Sequence, residues 1–170
     1  MDDHPIWGLY DEYRTARFSV RYYERQLKSL RLRNIMIESI IALSVSSGIA
    51  GLWLWGTAVG GIVWKILVTI AAFLSVLKPL IKLSDQIQLK SEILTKWRLF
   101  EDALHQLIIE ISQNKKYDED IRNRFLTLMR SKSIIIRDEP SESVNLRLRE
   151  ECYEQVNLEL PMDKFFVPED

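Results

Sequence analysis

Arg14, Arg17, Arg21, Arg25 and Lys28 recur every three or four residues near the start of the chain. At helical geometry they fall within about 80° of one face, a basic stripe relieved mainly by Glu24. Guanidinium forks hold phosphate through paired hydrogen bonds, so the stripe is a candidate site for an anionic ligand such as a nucleotide or oligonucleotide. Two other readings stand beside it. The stripe could face anionic lipid, where each basic residue near the surface contributes about 1 kcal/mol, or it could pair with the acidic end of the chain.

A second set of polar residues lies in apolar surroundings. Ser39, Ser44 and Ser47 could line a hydrated path, because hydroxyls meet water without the cost of a buried charge. They could equally serve helix packing, since Ser44 with Gly48 and Ser47 with Gly51 form small-xxx-small pairs. Glu38 is either a salt-bridge partner of Lys78 and Lys82 or part of a cation-attracting ring at a pore mouth. Lys65 either snorkels to the interface or forms an anion-favouring ring.

Catalysis finds little support. The chain carries no glycine-rich phosphate loop, HExxH, CxxC or GxSxG motif. Its single Cys152 precludes an intrachain disulfide, and two histidines 101 residues apart, His4 and His105, leave little for a metal site. No catalytic residue, metal or cofactor is expected, and the chain is read as a non-enzyme.

The elements that position these residues follow from the distribution of charge. The 170 residues carry a net charge of −1 and 28% charged residues, an ordinary balance for a soluble domain. Yet from Ser39 to Leu77 the only charge is Lys65. Residues 35–55 and 62–81 are each long enough to cross about 30 Å of hydrocarbon at 1.5 Å per residue. The uncharged GTAVGG between them suits a tight turn, and Trp53, Trp55 and Trp64 flank it at interfacial positions. No short cleavable hydrophobic segment precedes Ile35, so the first run itself is expected to be the targeting signal. Basic residues flank the hairpin on the side of both chain ends, which places both termini in the cytoplasm by the positive-inside rule.

The expected organisation is therefore an all-α membrane protein in four parts. Residues 1–34 form a cytoplasmic amphipathic helix, 35–82 the transmembrane hairpin, 83–117 a long cytoplasmic helix and 118–170 a cytoplasmic helical tail. Tyr13, Ala16, Val20, Tyr23, Leu27 and Leu30 make a heptad seam, as do Ile93, Trp97, Phe100, Leu104, Leu107 and Ile111. The two seams are natural partners, within one chain or between subunits. Beyond them, Asp118 can cap a short helix carrying Ile121, Phe125 and Leu128. The isoleucines within Ser133 to Arg137 read as a short strand, and Pro140 and Ser141 as the opening of another helix. From Asp138 onward ten acidic residues face three basic ones, opposite in sign to the stripe.

RYYERQLKSLRLRN before the first span, the GTAVGG turn and KPLIKLSDQIQLKSEILTKWRLFEDAL after the second carry a resemblance to the SLATT family of two-transmembrane proteins. It covers about residues 10 to 115. The resemblance implies a pore-forming effector of bacterial nucleotide-signalling and antiviral defence. On that basis the expected function is an oligomeric inner-membrane channel gated through its cytoplasmic helices by a nucleotide-type ligand or partner. Its expected partners are copies of itself, the lipid bilayer, and a nucleotide or oligonucleotide signal with its cognate synthase. The alternative is a membrane-anchored coiled-coil scaffold without a pore.

Overall fold

In a computed structural model of the chain, the described residues are 4–46, 66, 69–70, 72–73, 82–140 and 144–168. Their regular elements are helical throughout, with no strand among them. Helix α1 is Ile6–Ser46, α2 is Leu83–Asn114, α3 is Glu119–Asp138 and α4 is Leu146–Glu159, followed by a 3-10 turn at Met162–Lys164. The chain divides into two compact units, one of residues 1–25 with 90–170 and one of residues 26–89.

In the first unit the two heptad seams meet within the chain. Tyr13, Ala16, Val20 and Tyr23 are buried on α1, as are Ile93, Trp97, Phe100, Leu104, Leu107 and Ile111 on α2. The helices run antiparallel, since Glu24 pairs with Arg98 at 2.7 Å, Arg17 with Glu101 at 2.8 Å, and the Tyr13 ring stacks on His105. Farther along, Ile6, Leu9 and Tyr10 join Leu107 and Ile111 in one core cluster. His4 closes the start of α1: its Nδ1 accepts from the backbone N–H of Ile6 at 3.2 Å. At the same end of the pair, Lys115 takes a left-handed φ of 52°, where glycine is more usual, and stops α2.

Helix α3 returns along α2. Asp118 caps it, accepting from Ile121 N–H at 3.0 Å, and Glu119 and Asp120 complement the positive end of its dipole. Ile121 completes the core cluster, with Phe125 and Leu128 packed against it. Arg124 pairs with Glu110 at 2.8 Å near the start of α3, while Lys96 reaches Asp138 at 2.6 Å near its end. Trp97 Nε1 donates to Glu139 at 2.8 Å just beyond it.

Two local expectations are corrected here. Ser133 to Arg137 is the last part of α3 rather than a strand. Isoleucine favours strands, but Ile135 extends the apolar stripe of Ile121, Phe125 and Leu128 by two helical turns and is buried, while Ile134 and Ile136 stay exposed. Packing of one helix face overrides the local preference. The next helix begins at Leu146, later than Pro140, because Asn145 supplies the cap, accepting from Leu148 N–H at 3.1 Å; Ser141 lies outside the described residues.

The second unit contains the rest of α1, the first turns of α2 and the isolated helical residues 66, 69–70 and 72–73. Among the described residues of this unit, Leu32, Ile35, Met36, Ile66, Ile70, Phe73 and Leu89 are exposed, while Leu27 and Leu83 are buried. Most of the two apolar runs, 35–55 and 62–81, lies outside the described residues, as does the GTAVGG turn. Among the described residues no helix is long and apolar enough to cross a membrane.

Candidate functional site

The basic face of α1 is covered by α4. Helix α4 buries Cys152 and Val156, one turn apart, and the polar residues beside them meet the arginines. Arg25 reaches Glu151 at 3.1 Å and Gln155 at 2.7 Å. Arg21 reaches Glu159 at 3.1 Å, and Arg17 bonds the other oxygen of the same carboxylate at 3.3 Å. Arg14 donates to the Asn157 side chain. The tail then continues along α1, where Tyr10 donates its hydroxyl to the Phe166 carbonyl and stacks on the Phe165 ring at 4.2 Å.

Arg17 is the centre of this arrangement, because it joins three helices. Besides Glu159 it pairs with Glu101 of α2, whose side chain is only 8% exposed. Burial works against the Arg17 charge, but Glu101 and Glu159 outweigh it and hold the guanidinium protonated above its ordinary range. Burial likewise opposes the Glu159 carboxylate. The hydrogen bond from Gln155 and the charges of Arg21 and Arg17 overcome it, so Glu159 titrates below the usual glutamate value. Burial pushes the Cys152 thiol up, which keeps it protonated and unreactive. Burial also raises the Tyr10 phenol, to about 12.

Of the candidate ligand-binding residues, Arg14, Arg17, Arg21 and Arg25 thus converge on α4, and Lys28 is exposed in the other unit. Of the candidate pore residues, Glu38 and Ser39 are exposed on α1, with Asn34 donating to Glu38 at 3.1 Å. Ser44 belongs to the backbone of α1; Ser47 and Lys65 lie outside the described residues. Glu101 was not singled out by its sequence neighbourhood. Its position beside Phe100, at the edge of the α2 seam, was the available signal, since seam edges are where charged residues bridge paired helices.

Among the described residues no group of three His, Cys, Asp or Glu side chains is placed to hold a metal ion. Among the described residues, a surface groove of about 350 Å³ lies between α1 and α4, and another of about 360 Å³ between α2 and α3. Comparison with family models, curated proteins and solved structures finds no match to this chain.

Proposed function

We propose that the chain is an oligomeric inner-membrane pore, an effector of bacterial nucleotide-signalling defence, gated through its cytoplasmic helices by a nucleotide-type ligand or partner. The observation that carries the membrane part is the exposure of Ile35, Met36, Ile66, Ile70 and Phe73 in and beside a stretch whose only charge is Lys65. Apolar side chains gathered at this density need a cover, and hydrocarbon supplies one for two runs of spanning length. The SLATT-like order of elements supplies the defence context.

A single hairpin cannot enclose a channel, so several copies must surround it. Ser39, Ser44 and Ser47 then offer hydroxyls to a water path, with Glu38 at its mouth. A coiled-coil scaffold is the weaker reading, because the seams it would present to partners are filled within the chain: Tyr13 to Tyr23 of α1 and Ile93 to Ile111 of α2 are already buried. The helix α4, held by four arginines, is the element through which the cytoplasmic part would respond.

Ion flux from liposomes tests the reading. Wild-type chain should release a trapped ion, and Gly48→Leu with Gly51→Leu, which removes the close-packing surface of the first span, should yield monomers without flux. Equal flux from those monomers would contradict a pore built by several copies.

A further inference from the structure

The groove between α1 and α4 differs from the rest of the basic face. Arg17, Arg21 and Arg25 spend their charge on carboxylates of this chain. Among the described residues Arg14, which lines the groove, bonds the neutral Asn157 and no carboxylate. Arg149 lines the same groove from α4, is exposed, and has no ion pair among the described residues. Phe18 and Tyr153 add an aromatic ring from each helix.

We propose that this groove binds a ring bearing a single phosphate, of the nucleoside monophosphate class. Its phosphate would engage Arg14 and Arg149, and its ring would lie against Phe18 and Tyr153. Two guanidiniums, neither engaged by a carboxylate among the described residues, supply the charge-assisted donors that phosphate takes up. Aromatic faces accept a base by stacking without regard to its identity. The volume of about 350 Å³ falls in the range of small-molecule sites. Asp11 also lines the groove and offsets one of the two positive charges, which selects against di- and triphosphates and against longer oligonucleotides. Because Arg14 belongs to α1 and Arg149 to α4, the occupant bridges the helices and holds the tail in place.

This assignment deepens the ligand-gated reading and rests on its premise that the cytoplasmic helices take an anionic signal; it is independent of the pore. The test is calorimetric titration of the full chain in detergent with adenosine monophosphate. Adenosine monophosphate should bind, and adenosine and inorganic phosphate should each bind at least about tenfold more weakly. Arg149→Glu should weaken adenosine monophosphate by roughly ten- to a hundredfold, the worth of a hydrogen bond to a charged group, and Tyr153→Ala by roughly five- to a hundredfold. Both side chains are exposed, so the variants should keep the thermal midpoint of the unliganded protein. Affinity unchanged by Arg149→Glu, or no binding of adenosine monophosphate at about millimolar concentration, would overturn the assignment. Displacement of adenosine monophosphate by an equal amount of short-chain phosphatidic acid would overturn it too, because the phosphate would then need no ring. Absent flux with binding intact removes the pore alone; flux with binding absent removes this site alone.

Discussion

Glu159 shows how a single carboxylate can tie the tail to the chain's beginning. It accepts from Arg17, Arg21 and Gln155, and its titration lies below the ordinary value of 4.5. A carboxylate with a depressed folded-state pKa contributes stability that is present above its unfolded value and disappears as pH falls through the folded one. Thermal unfolding should therefore show a loss beginning near pH 4.5, and Glu159→Gln should remove part of that acid loss while lowering stability at neutral pH. A midpoint with the same acid profile in wild type and variant would show that the carboxylate carries none of it. Tyr10 acts at the opposite end of the scale. Its phenol is raised from 10 to about 12, so the stability it gives is full below pH 10 and declines as pH rises between those values. Tyr10→Phe should flatten that alkaline decline. The arginine stripe itself was legible in the sequence from spacing alone. Pairing with the acidic end of the chain was among its readings, but not which carboxylates meet it, because Glu101 and Glu159 reach Arg17 only through the antiparallel register of α2 and the docking of α4, neither of which a local pattern encodes.

The two seams of α1 and α2 were legible because burial at spacings of three and four repeats over several turns. The Asp118 cap was equally legible, since its residue type and its position before an apolar stripe have one common use. The run at Ile134 to Ile136 misled because β-branching is a local signal, whereas Ile135 is placed by its distance from Ile121 along a helix. Helix α4 was visible as a helix expected to open at Pro140 and Ser141, but its start depended on which polar residue capped it. Its docking gives an element-scale prediction through Cys152, a buried thiol whose pKa is raised by burial. Alkylation of Cys152 in the native protein should be slow at neutral pH. Arg21→Glu with Arg25→Glu, which sets like charges against Glu159 and Glu151, should speed it at least about tenfold by populating a detached α4. Unchanged alkylation, with α1 to α3 still folded by circular dichroism, would mean that the arginines do not hold the tail.

At the scale of the whole molecule, the near-neutral charge conceals a division along the chain: a basic start, a stretch from Ser39 to Leu77 with one lysine, and an acidic end. The start and the end meet on α1 and α4 in one unit, and Ile35, Met36, Ile66, Ile70 and Phe73, exposed in and beside the stretch with one lysine, belong to the other. The proposed topology follows from that division, with two spans, an outer turn at GTAVGG and both chain ends on the cytoplasmic side. Its most direct test is labelling with a membrane-impermeant maleimide in a Cys152→Ala background, using Thr57→Cys in the turn and Leu158→Cys at an exposed position of α4. In right-side-out and inverted vesicles the two cysteines should label from opposite faces, Thr57→Cys only from outside and Leu158→Cys only from the cytoplasmic side. Labelling of both from the same face would contradict the two-span hairpin.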